Sequence, residues 1–159
     1  MAIPDTYRAF RRTKGDYPLS ITRTTEKVPQ SLGPRDVLIR IRAVSLNFRD
    51  VAMLQEGRYP APVEPEGIPA SDCAAEVVAV GEQVAKFAVG DRVAPTFNVA
   101  HLEDNDEDVG LAALGGDVAG VLREYAVFEE KTLVKLPAHL SWEEASEVSM
   151  ERPGGRSAD

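Results

Sequence analysis

The chain has 159 residues, of which 43% are hydrophobic and 28% charged, with a formal net charge of −8. That length and apolar content suit one compact core, while the acidic balance opposes binding to a phosphate backbone and argues against a nucleic-acid partner. No run approaches the roughly 20 apolar residues that cross a bilayer and no secretory apolar region follows the N-terminus, so no membrane partner and a cytoplasmic location are expected.

The single cysteine, Cys73, can form no intrachain disulfide, which suits a reducing compartment. Charge is unevenly placed: residues 1–42 carry nine Lys/Arg against four Asp/Glu, and residues 43–159 carry nine against twenty-two. The basic segment lacks the aromatic interleaving or zinc-finger spacing of a nucleic-acid module.

The first strand expected in chain order covers residues 37–45, where Leu38, Ile39 and Ile41 alternate with Arg40 and Arg42 after the turn residue Pro34. From Asn47 to Leu54 the period lengthens: Phe48, Val51, Ala52 and Leu54 recur three or four apart, predicting a short helix with Asn47 as N-cap. Pro60, Pro62, Pro65 and Pro69 then exclude helix from the connector that follows. Residues 73–80 are too apolar for a loop and read as a strand ended by Gly81; a turn at Gly90-Asp91 leads into a strand at Arg92–Ala94. Val121–Phe128 and Leu133–Leu136 supply two more, separated by a turn at Glu129–Lys131. Ser141-Trp142-Glu143-Glu144 is a capping box opening a last helix, with Trp142, Ala145 and Val148 on one face, before Pro153-Gly154-Gly155 stops it. Five or more short strands in a meandering antiparallel order favour a barrel-like sheet, mainly β, because closure removes exposed edges. Residues 1–148 are expected to form the domain and 149–159 a tail.

Three local patterns are given structural readings. The acidic run Glu103–Asp108 is not an EF-hand, since a loop starting at Asp104 puts Val109 where glycine is required and Gly115 where the bidentate glutamate is required; a solvated loop is expected. Gly115-Gly116-Asp117-Val118-Ala119-Gly120 lacks G-x-G-x-x-G spacing and reads as a turn. Cys73 lies in an apolar strand without a local histidine, a core position, and neither His101 nor His139 has the setting of a general base.

In combination, Val37-Leu-Ile-Arg-Ile-Arg-Ala-Val-Ser-Leu-Asn-Phe-Arg-Asp50, Gly57-Arg-Tyr-Pro60, Ile68-Pro-Ala-Ser-Asp-Cys-Ala-Ala-Glu-Val77, Val89-Gly-Asp-Arg-Val93, Gly120-Val-Leu-Arg-Glu-Tyr-Ala-Val127 and Leu136-Pro-Ala-His-Leu-Ser-Trp-Glu-Glu-Ala145 resemble the N-terminal part of medium-chain dehydrogenases/reductases over about residues 14–148. The resemblance implies a GroES-like, partly open β-barrel with short peripheral helices, forming the substrate side of a cleft. Zinc-dependent members carry Cys-His and His-Glu at the positions of Asn47-Phe48 and Ser71-Asp72. Phe48 has no ligand atom and Asn47 and Ser71 offer only weak oxygen donors, so no metal is expected and the zinc-free, quinone- or enone-reducing branch is implied.

In that branch Asn47, Asp50 and Tyr59 are implied as cleft residues: Asn47 donating toward a carbonyl, Asp50 orienting its surroundings, and Tyr59 donating its phenolic proton or shaping the mouth. Arg49 is implied to meet cofactor charge. The structural alternatives are capping and solvent-facing support of the helix for Asn47 and Asp50, an ordinary half-buried tyrosine, and an arginine facing water. Ser71 and Asp72 are expected to hydrogen-bond around the former metal region. Complete relatives hold NAD(P)H on a Rossmann domain, and no such unit follows residue 148. The isolated chain is therefore expected to be an inactive oxidoreductase fragment with no cofactor of its own, whose partner is a Rossmann domain or a second copy. A non-enzymatic GroES-like interaction or small-molecule-binding domain is the alternative.

Overall fold

A computed structural model describes residues 2–99 and 112–148. Seven strands and two short helices follow in the order β1 (Thr6–Arg12), β2 (Ile21–Lys27), β3 (Asp36–Ser45), α1 (Phe48–Ala52), β4 (Asp72–Val80), β5 (Arg92–Pro95), β6 (Tyr125–Glu129), β7 (Leu133–Lys135) and α2 (Trp142–Glu147), with a 3-10 turn at Glu130–Thr132. His101, the acidic run 103–108 and the segment 149–159 lie outside the described residues.

The principal sheet has five strands in the order β6-β3-β4-β5-β7, and β1 and β2 form a two-stranded sheet. Every pairing between these strands is antiparallel. The meander holds only for β3-β4-β5; β6 crosses to the far edge beside β3, so the sheet is an open half-barrel. Register shifts in β3 at Leu38/Ile39 and Ile41/Ala43 supply irregularities of the kind that bend a sheet.

Alternation explains the packing. Val37 and Ile39 of β3, Cys73, Ala75 and Val77 of β4, Val93 of β5, and Ala126 and Phe128 of β6 meet inside the half-barrel. Leu38 points the other way and is buried by Val28 and Tyr125. At the opposite end, Ala145 of α2 packs on Ala74, Ala94 and Leu136. The Arg92 guanidinium lies 4.0 Å from the Trp142 ring centroid and its Nη1 donates to the Leu140 carbonyl, fastening the helix start to β5. Ser141 and Glu144 make the expected capping box. Val148, expected on the buried face, is 44% exposed, because the helix ends at Glu147 and Val148 leaves the helical path.

Two expected boundaries move. Residues 121–124 are not part of β6, since Val121 and Leu122 donate to the carbonyls of Ala70 and Pro69, and Glu124 donates to that of Arg8. In α1 the apolar periodicity does not mark the buried face: Phe48 is 77% and Val51 55% exposed, whereas Ala52 and Met53 are buried. Among the described residues no helix is long and apolar enough to cross a membrane.

Acid should weaken this fold in a definite direction. Glu124 is held below the usual carboxylate range chiefly by the Arg8 side chain, Glu26 by Arg11, and Glu130 by the backbone N–H groups of Ala85 and Lys86. Folded-state values below the unfolded one give stability that is complete above the ordinary value of 4.5 and lost as pH falls through the lowered values. The thermal midpoint is expected to stay level from pH 8 to about 5 and then fall steadily, as scanning calorimetry across pH will show.

Candidate functional site

Ser45 and Asp72 are register partners at the end of the β3-β4 ladder. The chain leaves β3 there, turns at Asn47 into α1, and returns at Ser71 into β4, which juxtaposes positions 47–49 with 71–72. Ser45, Asn47, Phe48, Arg49, Ser71, Asp72, Phe97 and Glu147 line a pocket of about 360 Å³ at this place.

The Asp72 carboxylate organises one wall. Its Oδ2 accepts from Asn47 Nδ2 at 2.6 Å and from Ser71 Oγ at 2.7 Å. This fixes the Asn47 amide with its nitrogen toward Asp72, and one Nδ2 proton remains for another acceptor. The hydrogen bonding expected of Ser71 and Asp72 is thus present.

Arg49 forms the other wall. Nη1 donates to the Leu114 carbonyl at 2.7 Å and Nη2 to the Tyr59 hydroxyl at 3.1 Å. The guanidinium also lies 4.8 Å from the Phe97 ring centroid and 5.6 Å from that of Tyr59. The cation is therefore held between two rings rather than left in bulk water.

Of the four residues singled out, Asn47 and Arg49 line the pocket while Asp50 and Tyr59 support it from behind. Asp50 is buried and does not face solvent: Oδ2 accepts from the Asn47 backbone N–H at 2.9 Å, and Oδ1 accepts from the Ala70 N–H at 2.9 Å. Tyr59 is half-buried, accepts from Arg49 and retains its own proton as a donor. Ser45, Phe97 and Glu147 join the site without any sequence signal, since only the β3-β4 register and the docking of α2 bring them there.

The support reaches deep into the molecule. Arg12 is 2% exposed, and its Nη1 donates to the Gly115 carbonyl at 2.8 Å. Its Nη2 donates to the carbonyls of Glu64 and Gly116, so β1, the proline-rich connector and the turn beside Leu114 share one cation. Cys73, next to Asp72, is buried, and desolvation pushes its thiol up to about 12. A thiol-specific disulfide reagent is expected to leave it unmodified in native protein and to react fully after denaturation; native-state reaction within minutes would contradict its placement.

The donor chemistry here suits neither a metal-ligand set nor a glycine-turn phosphate cradle. Among the described residues no three of His, Cys, Asp and Glu gather as a metal-ligand set. In the pocket, Phe48 has no donor atom, and the Asp72 oxygen facing Asn47 already accepts two hydrogen bonds. The N–H groups of Gly115, Gly116 and Gly120 donate to the carbonyls of Val118, Ala113 and Ile68, so this glycine-rich turn has no phosphate cradle.

Comparison with known proteins defines the class. Residues 33–138 match the family of the alcohol dehydrogenase GroES-like domain. A zinc-type alcohol dehydrogenase-like protein of Schizosaccharomyces pombe is 40% identical over 119 residues, 74% of this chain and 34% of that protein. A quinone oxidoreductase of Pseudomonas aeruginosa is 38% identical over 122 residues, 77% of this chain and 31% of that protein. The crystal structure of 2R,3R-butanediol dehydrogenase from Bacillus subtilis superposes with a TM-score of 0.72 at 27% identity, covering 88% of this chain and 43% of that one. The chain belongs to the medium-chain dehydrogenase/reductase family, through its N-terminal GroES-like domain. It spans about a third of the length of the two sequence relatives.

Proposed function

We propose that this chain is the acceptor-substrate side of a zinc-independent, NAD(P)H-dependent oxidoreductase that reduces a quinone or enone, working with a cofactor-holding Rossmann domain. Residues 1–148 form the working unit. The observation that carries this reading is the pocket's combination of donor, cation and aromatic surface without a metal-ligand set. A carbonyl oxygen at Asn47 meets the remaining Nδ2 proton, and Arg49 supplies positive charge where the acceptor becomes negative. Phe48 and Phe97 offer flat apolar surface to a planar ring. Asp50 and Tyr59 are positioning residues that hold Asn47 and Arg49.

The cofactor belongs to the second domain, because the glycine-rich turn at 115–120 spends its glycine N–H groups on backbone carbonyls and offers no dinucleotide cradle. Calorimetric titration of the isolated chain with NADPH is expected to show no saturable binding, and elemental analysis to find well under one zinc per chain. Stoichiometric, tightly held zinc would overturn the zinc-free assignment.

A second reading rests on the exposed apolar side chains of Leu46, Phe48 and Val51, which are 68%, 77% and 55% exposed. Such a cluster suits a binding surface in a non-enzymatic domain, or self-association of the chain. Concentration-dependent dimerisation, with no quinone-induced perturbation at Asn47 or Arg49, would favour it over the oxidoreductase.

A further inference from the structure

A second groove, sharing no lining residue with the Asn47 pocket, runs between β1, β3 and the segment 122–124. It measures about 280 Å³ and is lined by Arg8, Phe10, Ile41, Arg42, Ala43, Val44, Leu122, Arg123 and Glu124. Two of its guanidiniums are fixed by ion pairs, Arg8 with Glu124 and Arg42 with Glu76. Arg123 differs. Among the described residues its guanidinium makes no hydrogen bond or ion pair, and its Nε is buried with no partner. Glu26 lies within electrostatic reach of Arg123, but its Oε1 already accepts from Arg11 Nε at 2.7 Å and from Thr24 Oγ1 at 2.9 Å.

A buried donor without an acceptor is costly, and packing alone gives it no compensation. A guanidinium is also the side chain best shaped to take two oxygens of a carboxylate or phosphate at once. The neighbouring surface is apolar, formed by Phe10, Ile41, Val44 and Leu122. The site therefore combines a guanidinium that makes no hydrogen bond among the described residues with a hydrophobic floor.

We propose that this groove binds an amphipathic oxyanion, its carboxylate or phosphate head seated on Arg123 and its alkyl or aryl part on Phe10, Val44 and Leu122. The proposal stands apart from the oxidoreductase reading and is tested on the chain itself. Nitrogen-proton NMR spectra are recorded during titration with octanoate and with octyl phosphate, using octylamine and acetate as the cationic and tailless controls. Saturable shifts at Phe10, Leu122 and Arg123 are expected with one or both oxyanions at concentrations up to about 10 mM, and the responding head group identifies the ligand's source. In Arg123→Met, binding is expected to weaken at least about tenfold, while the thermal midpoint without ligand stays level or rises because an unpaired guanidinium has been removed. Equal binding of octylamine or acetate, unchanged binding by Arg123→Met, shifts confined to the Asn47 pocket, or no shifts would overturn the proposal. So would a lowered midpoint in Arg123→Met, which would make Arg123 a structural residue.

Discussion

Gly120→Ala is expected to destabilise the domain by about 3 kcal/mol or more and to lower its thermal midpoint by roughly 10 °C. A Cβ at position 120 would stand 2.1 Å from the Ala70 carbonyl oxygen, 2.4 Å from that of Pro69 and 2.7 Å from the Gly115 Cα. All three atoms are backbone, so no side chain can swing aside. The contact cannot simply widen, because Gly120 donates to the Ile68 carbonyl at 2.7 Å and Val121 to that of Ala70 at 2.9 Å. Ala70 is itself held at a φ of 68°, a conformation that costs a non-glycine residue of order 1 kcal/mol, and Ser71 and Asp72 follow it directly into the pocket. The substitution should therefore disturb the amide signals of Ser71 and Asp72 as well as stability. Thermal unfolding within a degree or two of the parent protein would show that this backbone approach is loose enough to admit a methyl group.

Asp50→Ala should cost about 3 kcal/mol in chemical denaturation, because it strips acceptors from two backbone donors, the N–H groups of Asn47 and Ala70. Asp50→Asn keeps an acceptor oxygen for one of them and is expected to lose about half as much. This ordering separates positioning from direct chemistry. A clamp predicts stability losses that follow the number of acceptors, together with displaced Asn47 and Ser71 signals. A solvent-facing carboxylate predicts that both variants unfold within about 0.5 kcal/mol of the parent.

The sequence made the principal sheet readable where alternation or an unbroken apolar run coincided with burial, as at Val37–Ser45 and Cys73–Val80. Caps were readable for the same local reason, since the Ser141 and Asn47 caps depend on residues three apart. The β1-β2 hairpin was not, because Thr6–Arg12 and Ile21–Lys27 are mostly polar, and the most deeply buried large side chain of β1 is Arg12. A buried arginine carries no hydrophobic signal; its partners at Glu64, Gly115 and Gly116 exist only in the fold. Helix α1 misled for the opposite reason, exposing Phe48 and Val51 while burying Asp50. That inversion is physical: a five-residue helix at the end of a strand is oriented by Asp50 and its two backbone donors, not by an apolar stripe.

Family resemblance singled out Asn47, Asp50 and Tyr59 as cleft residues and Arg49 for cofactor charge; that Asn47 and Arg49 share one pocket, with Asp50 and Tyr59 behind it, is visible only in three-dimensional contacts. Phe97 illustrates the limit most clearly. It lies far from Arg49 in sequence, beside no motif, yet it supplies the ring nearest the Arg49 cation.

The most direct measurement follows nicotinamide absorbance with a quinone acceptor, comparing this chain alone with the same residues 1–148 joined in one continuous chain to a relative's cofactor-binding domain, each with and without a zinc chelator. The expected result is no protein-dependent oxidation of NADPH by the chain alone, and turnover by the joined protein that the chelator leaves unchanged and Asn47→Ala lowers by about tenfold or more. Turnover by the isolated chain, or activity of the joined protein that disappears with the chelator and returns with zinc, would contradict it.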